Sequence, residues 1–296
     1  MTKQGIITIA LGHTMYGKMA TGLAASALSH GYPTTLLTDG KAISTLSAAE
    51  KGIFDNIIHL PESVCHTAKG LQYLRAKVFL YDYSPYKETI YFDADSILGY
   101  EKPLHELFLR HKDCSINLIT EGYYDIGAAE PRKHVNPKYT SWASMEDMVK
   151  AFSLDKKTDK LYQLRSEFIY FKKSKKIEKL FSIAKDVYDN PRLVVATLGG
   201  SYADEYAFNI AIALSAINLT EMQTPLYWKY IHRRKYIYVS EIFKDFYGIS
   251  IGGNVISEEQ KTLYNSLIRY HYEKNNITGY QIAINKRDYI SSRKLL

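Results

Sequence analysis

Thr89-Ile-Tyr-Phe-Asp-Ala-Asp-Ser-Ile-Leu98 is the stretch that decides how the chain is read. Ile90, Tyr91 and Phe92 make the short apolar run of a strand buried on both faces of a parallel sheet. Asp93 and Asp95 follow at once, with small Ala94 between them and Ser96-Ile-Leu98 after. Two carboxylates therefore fall where a strand leaves the sheet, the edge at which open α/β sheets hold their ligands. Carboxylates there are costly to desolvate unless something positive meets them. Mg²⁺ and Mn²⁺ suit the place, because they prefer oxygen ligands and often keep only one or two protein carboxylates when they bridge phosphates. The pattern reads as a metal–diphosphate site. The plainer alternative is a strand end capped by two solvated acids.

Working outward, Ile6-Ile-Thr-Ile-Ala-Leu11 reads as a first buried strand ending at Gly12. An alanine- and leucine-rich helix follows over about Gly17–Ser29, closed by His30-Gly31. Thr34–Thr38 is a second strand with Asp39-Gly40 as its turn, and Ile57–Leu60 a third, stopped by Pro61. A helix over about Leu71–Tyr81 then leads into the acid-bearing strand. This alternation predicts an α/β fold, a mostly parallel sheet flanked by helices.

Beyond it the pattern predicts a helix at Leu104–His111 and a strand at Ser115–Thr120. Residues 121–164 lack clear periodicity and carry Pro131, Pro137 and Trp142, so loops and short helices, a lid over the site, are expected there. A strand at Phe168–Phe171, an amphipathic helix at Ile177–Tyr188 with its lysines outward, and a helix at Asp204–Ser215 follow. Tyr236–Val239 and Leu267–Tyr272 read as short strands. With no repeat and no low-complexity linker, the expected organisation is a catalytic domain, residues 1–220, and a carboxy-terminal extension, residues 221–296, that packs on it and completes the active site.

Composition narrows the class. Hydrophobic residues make up 46% and charged residues 23%, which excludes a disordered chain. Cys65 and Cys114 are too few for a disulfide framework or a zinc knuckle, so a reducing compartment is the default. No run approaches the roughly 18 apolar residues that span a bilayer. The apolar patch at Ile6–Leu11 is interrupted by Gly12, His13 and Lys18 too early for a secretory signal. A soluble cytoplasmic protein without integral membrane contact is expected. Twenty-six tyrosines stand against two tryptophans; a ring face with a hydroxyl suits sugar or base contacts, though a compositional habit of the source genome gives the same count. The net charge of +7 is uneven: residues 131–185 hold 14 basic and 6 acidic side chains, whereas residues 1–130 hold 11 and 14. An anionic partner fits that distribution, and so does a solvated basic face.

Four blocks carry a resemblance. They are Ile6–Gly12; Lys77 with Tyr81-Asp-Tyr-Ser-Pro-Tyr-Lys-Glu-Thr-Ile-Tyr-Phe-Asp-Ala-Asp95; Ser166-Glu-Phe-Ile-Tyr-Phe171; and Asp204-Glu-Tyr-Ala-Phe-Asn209. Over about residues 5–215 the chain resembles the GT-A nucleotide-sugar glycosyltransferases, particularly those like family eight and the related small phage and viral enzymes. The resemblance implies a GT-A, Rossmann-like fold and Mn²⁺- or Mg²⁺-dependent transfer of a sugar from a nucleotide-diphosphate sugar, UDP-linked first, to an acceptor hydroxyl. It implies that Ala10, Leu11, Gly12 and Tyr16 surround the base and ribose. Tyr16 is equally a core contact of the first helix. Asp39 would bond the nucleoside, or simply make an Asp-Gly turn.

In the same reading Lys77, sixteen residues before Asp93, offsets donor phosphate charge. Asp93 reaches the ribose or the metal through water, Asp95 binds the metal directly, and Ala94 lies between them at the donor. Ser166 and Glu167 stand where the family often has an Asn-Ser or Asn-Ala-Gly run lining the sugar, so Glu167 is a departure. Asp204 and Glu205 contact the sugar or acceptor. They are the base candidates if configuration inverts and sugar-holding acids if it is retained; as acids at a helix start they also favour its dipole. A third metal ligand is expected from the carboxy-terminal part: His271 in Arg269-Tyr-His-Tyr-Glu273, with His232 as competitor beside the cation-repelling Arg233, Arg234 and Lys235. The family's His-x-x-Gly-x-x-Lys-Pro-like ending is missing.

Acceptors in view are a saccharide, a glycolipid head group, a protein or a hydroxymethylated DNA base. The last fits the basic run Lys172-Lys-Ser-Lys-Lys176 together with Lys156-Lys157 and Arg233-Arg-Lys235, although such runs are also found as solvated faces. Two other readings stand beside it. One is a nucleotidyltransferase, although Gly12-His-Thr-Met-Tyr-Gly17 lacks the arginine such loops carry. The other is a non-catalytic nucleic-acid-binding module.

Overall fold

A computed structural model describes residues 3–68, 70–126, 139–140, 143–155, 160–190, 192, 194–195, 197–198, 201–227, 239–251 and 258–278. The expectations for Tyr236–Tyr238, His232 to Lys235, Pro131, Pro137, Trp142 and Lys156-Lys157 fall outside these residues. In chain order the main elements are β1 (Gln4–Ala10), α1 (Thr14–Ser29), β2 (Thr34–Thr38), β3 (Asn56–His59), β4 (Glu88–Phe92), β5 (Ser96–Leu98), α2 (Leu104–Arg110) and β6 (Ile116–Asp125). They continue with α3 (Met145–Phe152), β7 (Lys160–Lys172), α4 (Lys175–Asp189), α5 (Glu205–Leu214), β8 (Leu226–Tyr227), α6 (Val239–Asp245), β9 (Gly248–Ser250) and α7 (Glu258–Lys274). The architecture is α/β with a central, mostly parallel sheet flanked by helices, as the alternation predicts.

The chain forms two compact units. One comprises residues 1–60, 89–112 and 225–296, the other residues 61–88 and 113–224. The segment from residue 225 onward belongs to the same unit as the first strands.

In the first unit the strands run in the order β3-β2-β1-β4. β1 pairs parallel with β2, from Ile6 opposite Thr34 to Ala10 opposite Thr38, and β2 pairs parallel with β3. α1 crosses back so tightly that a Cβ on Gly17 would lie 2.0 Å from the Ala42 carbonyl oxygen. Only glycine allows that approach. A second, three-stranded sheet has the order β8-β9-β5: β8 and β9 are parallel, while β9 runs antiparallel to β5 with Ser250 opposite Ser96. One apolar cluster joins Ala10, Met19, Leu36, Ile97, Phe243, Ile249 and Leu267.

Leu267–Tyr272, expected as a strand, is the end of α7. Its buried residues Tyr264, Leu267, Ile268, His271 and Tyr272 repeat every three or four positions and so share one helix face. That face meets α1, where the Tyr272 hydroxyl donates to Thr21 Oγ1 (2.8 Å) and Asn275 Nδ2 to the Ala25 carbonyl (2.9 Å). Val239, expected in a strand, opens α6.

The second unit is built on the antiparallel pair β6–β7, which runs from Ile116 opposite Phe171 to Asp125 opposite Lys160. Parts of residues 121–164 expected as loop are thus strand. The pair has two register shifts, and each such irregularity breaks the alternation by which a strand is recognised. The expected helix over Leu71–Tyr81 is a 3₁₀ segment, Tyr73–Phe79, followed by a short α-helix, Leu80–Tyr83. α5 is buried from Tyr206 to Ala213, which explains its lack of a polar face. The Tyr206 hydroxyl ties it to α4 by donating to the Val187 carbonyl at 2.6 Å.

Candidate functional site

In the first unit β4 ends at Phe92, and Asp93, Ala94 and Asp95 form the turn into β5. The turn closes by a bond from the Ser96 amide to the Asp93 carbonyl (3.0 Å), and buried Ala94 tucks into the apolar cluster. Both acids are half-buried. Tyr91 and Asp93 lie on one face of the strand by the two-residue period, and the Tyr91 hydroxyl donates to Asp93 Oδ1. On the other acid, Asp95 Oδ1 accepts from Ser250 Oγ (3.3 Å), and its carbonyl accepts from the Ile251 amide (3.2 Å). Neither Tyr91 nor Ser250 was expected at the site from sequence. The i, i+2 spacing of Tyr91 was a usable signal; the 155-residue separation of Ser250 left none.

At the end of β1, Ala10 and Leu11 are buried and Gly12 has φ +76°. Asp39 holds that loop: its Oδ2 accepts from the Gly12 amide (2.7 Å) and its Oδ1 from the Ala42 amide (3.1 Å). Asp39 thus makes its turn and also fixes the loop after β1. Tyr16 on α1 packs partly against the apolar cluster.

His271 sits elsewhere. Its ring is 0% exposed, with Nε2 at 2.9 Å from the Leu98 carbonyl and Nδ1 at 2.8 Å from Ser29 Oγ. Burial lowers its pKa to about 4, with His30 and Lys274 adding to the effect and the Leu98 carbonyl opposing it. The ring is a neutral bolt between α7, α1 and β5. Both nitrogens are occupied, so its expected part as a metal ligand is corrected.

The second unit holds a buried polar group. Lys77 is 6% exposed, Asp204 1% and Glu205 9%. Lys77 Nζ donates to Ser166 Oγ (3.0 Å) and to the Ser166 carbonyl (3.3 Å), and lies 3.9 Å from Asp204 Oδ1. Ser166 Oγ donates to Glu205 Oε1 (3.2 Å). Glu205 Oε2 is buried with no hydrogen-bond partner among the described residues. One ammonium thus serves two carboxylates, and it pairs with Asp204. Burial first, then the Asp204 charge, pushes the Glu205 pKa well above the carboxylate range, while Lys77 pulls it back. Half-buried Glu167 adds to the same shift. Lys77, Ser166, Glu167, Asp204 and Glu205 are therefore brought together, as are Asp93, Ala94 and Asp95.

Among the described residues no group of three or more His, Cys, Asp or Glu side chains is arranged to hold a metal ion. The acid turn offers two carboxylates, an all-oxygen set that Mg²⁺ or Mn²⁺ accepts when phosphates and water complete the shell. The residues fit the group. No helix among the described residues is long and apolar enough to cross a membrane.

No family profile matches the chain, and no curated protein matches its sequence. Its fold, a mostly parallel α/β sheet flanked by helices, is that of GT-A-like structures. Among the solved structures it is similar to is the galactosyltransferase LgtC in complex with donor and acceptor sugar analogs. The TM-score is 0.52 at 10% identity, over 94% of this chain and 97% of that one. At that identity the likeness establishes the fold alone.

Proposed function

We propose that the chain is a metal-dependent glycosyltransferase that moves a sugar from a nucleotide-diphosphate sugar, UDP-linked first, to an acceptor hydroxyl. The observation that carries this reading is the turn Asp93-Ala94-Asp95 at the end of β4: two half-buried carboxylates, each already met by a hydroxyl donor. Asp93 and Asp95 would hold Mn²⁺ or Mg²⁺. A bound cation there supplies charge neutralisation to a departing diphosphate. Asp39 keeps the Ala10–Gly12 loop in place for the nucleoside, and Tyr16 flanks it.

The donor and sugar contacts assigned by resemblance fall to Lys77, Ser166, Glu167, Asp204 and Glu205. Asp204 is the charged partner of Lys77, while burial and the Asp204 charge raise the Glu205 pKa. A saccharide is the first acceptor. A hydroxymethylated DNA base is the second, because Lys175, Lys176 and Lys179 are exposed on α4.

The test is calorimetry of UDP with Mn²⁺, followed by a thermal-shift panel of nucleotide sugars. UDP affinity should depend on Mn²⁺ in the natural chain and fall at least about tenfold in Asp95→Asn, the lower end for loss of a metal contact. Unchanged affinity in a folded Asp95→Asn would remove the metal–diphosphate assignment.

A further inference from the structure

We propose that Ser250 is a positioning residue for Asp95, so that cation binding at the acid turn depends on β9 from the carboxy-terminal segment. This rests on the metal–diphosphate reading above. The register puts Ser250 directly opposite Ser96, and side chains at opposed positions of an antiparallel pair stand about 5 Å apart. The residue before Ser96 is Asp95, and Ser250 Oγ reaches its Oδ1 at 3.3 Å. One residue further, the Ile251 amide binds the Asp95 carbonyl at 3.2 Å. Asp95 is thus held through both its main chain and its side chain. Asp93 accepts from the hydroxyl of Tyr91, on its own strand.

The close approach depends on Gly248, where a Cβ would lie 2.3 Å from the Ile97 carbonyl oxygen. A bulkier residue there would push β9 away from β5 and take Ser250 with it. Ser250 is buried and Ile251 packs into the apolar cluster, so the hydroxyl is carried by a rigid segment. A group that orients a metal-binding carboxylate sets affinity without touching the ion.

The experiment measures free Mn²⁺ by electron paramagnetic resonance at saturating UDP, without sugar, on the full chain. The variants are Ser250→Ala, Ser250→Thr and Asp95→Asn, with the melting temperature of each. Ser250→Ala should weaken Mn²⁺ binding about tenfold with little change in melting temperature, and Ser250→Thr should stay within about twofold of the natural chain. If Ser250→Ala binds Mn²⁺ as the natural chain does while Asp95→Asn does not, the proposal is overturned and the acid-turn reading stands. Equal losses in Ser250→Ala and Ser250→Thr overturn it as well, because strand packing rather than the hydroxyl is then responsible. Failure of the natural chain to bind Mn²⁺ with UDP removes both.

Discussion

Replacing Lys77 by methionine keeps the length of the side chain and removes its charge. Its Nζ lies 3.9 Å from Asp204 Oδ1, with the ammonium and the carboxylate both almost fully buried. At an effective dielectric of about 20, that separation corresponds to a gross attraction of about 4 kcal/mol. The same ammonium donates two hydrogen bonds to Ser166. Removing one member of a buried pair costs about 3–5 kcal/mol, because the other charge stays behind without its counter-ion. Urea denaturation at neutral pH should show a loss of that size for Lys77→Met. Asp204→Asn alone should also destabilise, and the double variant should recover part of the loss, with a coupling energy of about 2 kcal/mol. A cost below about 1 kcal/mol for Lys77→Met, or strict additivity in the cycle, would refute the reasoning, since surface ion pairs behave that way. A folded but inactive double variant would separate the lysine's structural part from its part in the reaction.

Two further outcomes follow from the first unit. The His271 pKa of about 4 lies below its ordinary 6.5, so the unfolded chain takes up a proton that the folded chain refuses. The stability held above pH 6.5 is then lost as the pH falls towards 4, by up to about 3 kcal/mol. Denaturation midpoints of the natural chain and His271→Gln should converge over that interval, and parallel curves would contradict the assignment. Gly248→Ala should destabilise by about 1–3 kcal/mol, the usual range for overpacking. It should also expose the Ile249 and Ser250 amides to hydrogen exchange; unchanged protection would show that β9 has room to spare.

Several features were open to reading from the chain alone. The apolar run before Asp93 marked β4 and put both acids at its end, and the alternation of strands and helices before it marked the parallel sheet. The face of α7 was also there to be read, at Tyr264, Leu267, Ile268, His271 and Tyr272. The bulky residues of 267–272 pointed to a strand because so short a window does not separate the two periods. β6 and β7 were only partly visible, because their register shifts break the alternation that marks a strand. The 3₁₀ character of Tyr73–Phe79 leaves no mark in residue types, yet it buries Lys77, which on an ordinary surface helix would be solvated.

Local order of residue types was enough to determine the α/β class and the acid turn, since strand period and turn chemistry act within a few positions. Protonation and partnership were decided only by the folded chain. Glu205 has its pKa raised by burial and by the Asp204 charge, His271 gives both ring nitrogens to α1 and β5, and Ser250 meets Asp95 across 155 residues. Desolvation and hydrogen bonding depend on which atoms surround a group, and those neighbours are assembled from distant parts of the chain.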